Sequence, residues 1–207
     1  MKGRFITLEG GEGVGKSTQS RRLARALRER GLEVIETREP GGSPGAEAIR
    51  SLLLTGEDER WTPEAEALLF AAARADHVAR TIRPAIERGA WVLCDRFLDS
   101  SLAYQGLAAG VGVERVRSLH SIGSRNFLPD RTLLLELPAA AVGERLAVRD
   151  AEGSDRIGAR SGDFHARVAA AFAAFADADP LRFRRIDAAG EAEQVTARLL
   201  AALEDLL

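Results

Sequence analysis

The chain has 207 residues, 45% of them hydrophobic and 29% charged, with a formal net charge of -2. That length suits one soluble domain with a sizeable core, and the charge excludes a nucleic-acid binder that works through a basic surface. The single cysteine, Cys94, excludes an intrachain disulfide and a cysteine-rich metal site.

Taken in chain order, apolar and polar segments alternate as in βαβ units. Phe5 to Glu9 reads as a buried strand and Gly10 to Lys16 as a glycine-rich turn. Ser17 to Arg30 reads as an amphipathic helix with Leu23, Ala26 and Leu27 on one face, stopped by Gly31. Leu32 to Thr37 is a second strand, Glu39 to Gly42 a tight loop, and Ala46 to Leu54 a short helix. Pro63 opens a long helix capped by Thr62. Ala90 to Cys94 is a strand that ends in Asp95, and helical patterns follow around residues 100–107 and 112–123.

Further along, Thr132 to Leu137 is a strand, Ala139 to Arg149 a helix, and residues 150–162 a glycine- and charge-rich loop. Asp163 to Ala178 is helical, Phe183 to Ile186 a last strand, and Ala192 to Leu207 a closing helix. No repeat or linker marks a second domain. The expected architecture is a parallel, doubly wound α/β sheet flanked by helices, with residues 1–207 as one domain. The N-terminus runs straight into a strand, so no signal peptide is expected. The apolar run Val168 to Ala176 is too short to span a membrane. A cytoplasmic location is the default. His77, His120 and His165 are scattered and read as surface or packing residues.

Gly10-Gly11-Glu12-Gly13-Val14-Gly15-Lys16-Ser17 fits the phosphate-binding pattern G-x-x-x-x-G-K-[ST], with a strand before it and a helix after it. Glycines let backbone N–H groups turn toward phosphate oxygens, and the helix N-terminus adds its positive end. Lys16 would bridge the β- and γ-phosphates of ATP, and the Ser17 hydroxyl would sit on Mg²⁺. Lysine occurs only at Lys2 and Lys16 in a chain that otherwise uses arginine. Either this is chance or position 16 asks for a compact ammonium that a guanidinium fork cannot imitate. Asp95, at a strand's C-terminal end, is placed to hold the metal through water or simply to cap the next helix.

A phosphate loop serves GTPases, motors, regulators and small kinases alike. The Asn-Lys-x-Asp base-reading motif of GTPases is absent, since Asn126 is the sole asparagine and no lysine follows it. A motor domain would be larger. A small kinase is the remaining reading, with a nucleotide-binding regulator as the alternative from another class.

Phe5 to Gly10, Thr37 to Gly42, Leu69 to Arg74 and Asp95 to Gly106 resemble, in order and spacing, the bacterial thymidylate kinases. The resemblance runs from residue 4 to about residue 187. It implies transfer of the γ-phosphoryl of ATP to dTMP, giving dTDP and ADP. It also implies a homodimer, for which an apolar helix such as residues 64–79 could be the contact.

The resemblance implies residue roles as well. Arg38, Arg96 and Arg50 would hold the acceptor's 5′-phosphate, which suits their planar, permanently charged forks. Phe70 would stack on thymine, and Arg74, four residues on and so on the same helix face, would donate to a thymine carbonyl. Ser101 and Gln105 would add polar contacts to the base. Tyr104 would pack under the deoxyribose, and Glu12 would reach its 3′-hydroxyl. Arg145, Arg149, Arg156, Arg160 and Arg167 lie in or beside a glycine-containing stretch, which suggests a lid at about residues 145–162. Gly13 stands where some relatives carry an arginine, so the catalytic arginine would come from this lid, with Arg149 and Arg156 as candidates. Gly158 departs from the family pattern, where a glutamate is common. A kinase for another nucleoside monophosphate remains the nearest alternative.

Overall fold

A computed structural model describes residues 2–57, 60–138, 141–142 and 156–207. Five strands form one sheet: β1 (Arg4–Glu9), β2 (Val34–Arg38), β3 (Trp91–Asp95), β4 (Arg131–Glu136) and β5 (Phe183–Asp187). Their order is β2-β3-β1-β4-β5, and every neighbouring pair is parallel. Buried on both faces, β1, β3 and β4 are nearly continuous apolar runs, as parallel strands should be.

Helices cover both faces. The helix α1 (Lys16–Glu29) packs with the C-terminal helix, here α8 (Ala192–Ala201), against one side of the sheet through Leu23, Ala24, Leu27, Val195 and Leu199. Ala24 takes the buried place expected for Ala26. On the other side lie α3 (Pro63–His77), α4 (Arg83–Glu87) and α6 (Val113–Ser124), whose core includes Phe5, Ile82, Phe97 and Val116. Two further helices are α2 (Pro44–Leu54) and α5 (Leu98–Ser101), and α7 (Gly162–Ala178) packs around Phe164, Val168 and Phe172.

Local chemistry sets the helix starts. Ser43, Thr62 and Ser161 each accept a backbone N–H three residues on, and prolines at 44 and 63 occupy the first turns. Two segments depart from the expected plain helices. The long helix after Pro63 widens into a π-helical stretch at Val78–Ile82 before α4, and α5 continues as one at Leu102–Ala108. The closing helix ends at Ala201, and turns finish the chain. The helix expected over Ala139–Arg149 falls almost wholly outside the described residues.

The register aligns the functional ends. Leu8 pairs with Asp95 and Asp95 with Arg38, so the C-terminal ends of three strands meet at one end of the sheet. The chain leaves β1 toward β2 on one side, while β4 lies on the other. The order therefore reverses at β1, where a doubly wound sheet opens a crevice.

Candidate active site

Immediately after β1 the phosphate loop turns through left-handed backbone at Gly10, Gly13 and Gly15, with φ of 138°, 73° and 94°. A Cβ at Gly10 would stand 2.5 Å from the Leu135 carbonyl oxygen, so only glycine fits against β4 there. Lys16 is buried and donates to the Gly10 and Gly11 carbonyls at 3.1 and 2.6 Å. Burial, and next the neighbouring Arg96 guanidinium, push its ammonium down to about 8, against the pull of Glu12, Asp95 and Glu9. An ammonium held this way gains from a phosphate more than an exposed one does.

Ser17 donates to Asp95 Oδ2 at 2.6 Å, while Asp95 Oδ1 is buried with no hydrogen-bond partner. An orphaned carboxylate oxygen beside the loop's hydroxyl fits a hydrated divalent cation, which takes oxygen ligands and keeps its waters. Among the described residues no cluster of three or more His, Cys, Asp or Glu could hold a metal. A cation here would therefore need the nucleotide's own phosphates.

Arg96 sits just past β3 in left-handed backbone, φ 69°. For a non-glycine residue that conformation costs about 1–2 kcal/mol, and it turns the side chain back across the phosphate loop. The guanidinium donates to Gly10 O (3.1 Å), Ser100 Oγ (3.1 Å) and Glu12 Oε1 (2.5 Å) and lies 5.0 Å from the centre of the Tyr104 ring. Glu9 fixes the loop that follows. Its carboxyl accepts from the Phe97 and Ser100 backbone N–H groups and from the Ser100 hydroxyl. Burial, and next the charge of Asp99, push Glu9 up to about 7, although Ser100, Arg96 and the Phe97 N–H pull it down.

Across the crevice, Arg38 ends β2 and donates to Glu47, and Arg50 on α2 donates to the Pro40 carbonyl. Phe70 and Arg74 share a face of α3. Arg74 is almost fully buried. Its Nε donates to Glu39 Oε2 at 2.8 Å, and its Nη2 donates to Ser101 Oγ at 2.7 Å and to the Phe97 carbonyl at 3.1 Å. His77 Nδ1 lies 3.0 Å from the other Glu39 oxygen. Tyr104 is pushed up to about 12, chiefly by burial. Ser101, Tyr104 and Gln105 come from the junction of α5 with its π-helical continuation. The wider turn there lets adjacent Tyr104 and Gln105 both reach the same space.

A single cavity of about 410 Å³ joins the two sides. Glu12, Gly13, Gly15, Lys16, Ser17, Asp95 and Arg96 line one end. Arg38, Arg50, Phe70, Arg74, Ser101, Tyr104 and Gln105 line the other. Gly10, Gly11 and Val14 shape the loop without lining that cavity.

The lid arginines stand apart, although Ile157 lines the cavity. Arg145, Arg149 and Asp155 lie outside the described residues. Arg156 does not line the cavity: it is buried, donating to Leu53 O at 2.9 Å and to Glu66. A buried carboxylate engages this lid candidate. Arg160 pairs with the same Glu66 at 2.7 Å.

Sequence reading missed Glu9, Glu39, Glu66 and His77. One signal was available: Glu66 precedes Phe70 by four residues and Arg74 by eight, so the three line one helical stripe. An acidic residue on a buried stripe needs partners.

A phosphate loop that shares a cavity with a second set of arginines, and with an aromatic and an arginine on one helix face, defines a P-loop phosphotransferase with an anionic acceptor. The thymidylate kinase family model matches residues 8–199. The chain is 64% identical over 207 residues to the thymidylate kinase of Rhizorhabdus wittichii, covering all of both chains. It is 52% identical over 210 residues to that of Gluconobacter oxydans, covering all of this chain and 96% of the other. A crystal structure of thymidylate kinase from Ehrlichia chaffeensis superposes with a TM-score of 0.79 at 30% identity, over 99% of this chain and 100% of that one. The chain belongs to the thymidylate kinase family.

Proposed function

We propose that the chain transfers the γ-phosphoryl of ATP to dTMP, releasing dTDP and ADP, with the residues above in the roles that follow. The observation that carries this is the shared cavity, in which donor-side and acceptor-side groups face a common space. ATP phosphates lie in the loop from Gly10 to Ser17, where Lys16 exchanges its carbonyl partners for phosphate oxygens. Ser17 and Asp95 would hold Mg²⁺, which supplies charge neutralisation on the phosphates.

The 5′-phosphate of dTMP lies between Arg96 and Arg38, with Arg50 beside them. Glu12 then yields Arg96 to the phosphate and turns to the sugar's 3′-hydroxyl. Tyr104 packs under the deoxyribose, where a 2′-hydroxyl would collide. Phe70 stacks on thymine, Arg74 donates to a carbonyl, and Ser101 and Gln105 complete the polar edge. No side chain acts as a strong base, because positioning and charge neutralisation carry in-line transfer. Arg149 and Arg156 are the proposed lid arginines; Arg156 would exchange Glu66 for phosphate on closing.

The test is ADP release with ATP and Mg²⁺ against dTMP, dUMP, dCMP, AMP and GMP. dTMP should give by far the highest rate, and Arg96→Ala should lose about 10²–10³-fold in kcat/KM. A different preferred monophosphate would leave the phosphotransferase reading standing and remove the base-site assignment.

A homodimer is part of the proposal. Exposed Leu68 on α3 and Ile122 on α6, two helices packed against each other, support it. Sedimentation equilibrium should return twice the 22.3 kDa chain mass. Among the described residues no helix is long and apolar enough to cross a membrane.

A further inference from the structure

Glu66 is 1% exposed on α3, does not line the cavity, and, apart from holding Arg156 before the lid closes, has no task in the transfer described above. Its Oε1 accepts from Gln105 Nε2 at 2.9 Å. Its Oε2 accepts from Arg156 Nη2 and from Arg160 Nη2, the latter at 2.7 Å. A carboxylate ion-paired with two guanidinium groups has only acceptors to offer. An amide beside it therefore has one favourable orientation, NH₂ toward the carboxylate and C=O on the opposite edge. The reversed amide would set acceptor against acceptor, and Gln105, itself 1% exposed, has little water to relieve that. Gln105 lines the cavity and Glu66 lies behind it, so the carbonyl edge is the one left for a ligand.

We propose that Glu66 is a positioning residue that fixes the polarity of the Gln105 side-chain amide. Gln105 then meets the base as an acceptor, and the site selects a pyrimidine bearing N3–H over one with a bare N3. The proposal rests on the reading of Phe70, Arg74 and Gln105 as the base site. Arg74 strengthens it, because a guanidinium is donor-only and lines the same cavity. A donor next to an acceptor matches the 4-oxo group and N3–H of thymine or uracil. The 4-amino group and bare N3 of cytosine present the inverse pattern, so both pairs fail together. Buried polar groups left unpaired in this way discriminate by orders of magnitude.

The experiment compares kcat/KM for dTMP and dCMP in the wild type, in Glu66→Gln and in Gln105→Met. Glu66→Gln should lower the dTMP-to-dCMP ratio by about tenfold or more, mainly through KM for dTMP. KM for ATP should stay within about twofold of the wild type. A folded Glu66→Gln with the wild-type ratio overturns the proposal. If Gln105→Met leaves dTMP turnover untouched, the base-site reading itself fails. If Gln105→Met is impaired but Glu66→Gln keeps the ratio, only the role of Glu66 fails.

Should Glu66→Gln not fold, judged by circular dichroism melting, the wild-type complex with dTMP labelled with ¹⁵N at N3 decides. An imino proton protected from exchange, and lost in Gln105→Met, is the expected result. An imino proton that exchanges freely with solvent overturns the proposal.

Discussion

At the residue scale, burial works against charge in two places that matter to activity. Lys16, held near 8 in place of the ordinary 10.5, is partly neutral in mildly alkaline solution. Phosphate beside it favours the ammonium, so ATP binding at pH about 8.5 should take up a proton. Calorimetry in buffers of different ionisation enthalpy should return a positive uptake that Lys16→Met abolishes. For stability the sign runs the other way from a salt bridge. The folded pKa is depressed, so the unfolded chain binds this proton more readily between about 8 and 10.5, and the Lys16 contribution becomes more favourable as pH rises through that window.

Glu9 behaves oppositely to a paired carboxylate. Its folded pKa of about 7 lies above the ordinary 4.5, so its contribution is fully present below about 4.5 and is lost as pH rises through 7. Asp99 and Arg96 face it, and Arg182 pairs with Asp99, so the group titrates within a network. Glu9→Gln should flatten the fall in urea midpoint between pH 5 and 8. An unchanged pH profile would show that another group carries it.

At the scale of elements, the site depends on turns and helix starts more than on regular structure. Gly10→Ala asks a left-handed residue to place a Cβ 2.5 Å from Leu135 O. A loss of about 2 kcal/mol or more is expected, with the denaturant slope unchanged. ATP affinity should fall as well, because the loop carbonyls that hold Lys16 shift. Thr62→Ala removes the cap of α3, which carries Glu66, Phe70 and Arg74. It should cost about 1 kcal/mol in equilibrium unfolding.

The strands and most helices were legible because β1, β3 and β4 are nearly continuous apolar runs, and Thr62-Pro63 announces a helix start. The π-helical continuation at Leu102–Ala108 was not, since its composition is that of an ordinary helix and only tertiary packing widens it.

At the scale of the whole molecule, the strand order β2-β3-β1-β4-β5 turns separate sequence stretches into one cavity. Arg38, Asp95 and Glu9 end three strands, and parallel register sets those ends side by side. The sequence by itself determined the phosphate loop, the alternation that forces a parallel sheet, and the stretches that mark the acceptor side. Each of these is local, because a run of glycines before Lys16 or a strand ending in Asp95 with Arg96 next carries its chemistry in consecutive residues. Only the tertiary structure decided the long-range partnerships: Glu9 under the Arg96 loop, Glu39 and His77 behind Arg74, and Glu66 between Gln105 and the arginines at 156 and 160. A buried carboxylate is tolerated only where several donors converge on it, and those donors come from elements as far as 94 residues apart in the chain.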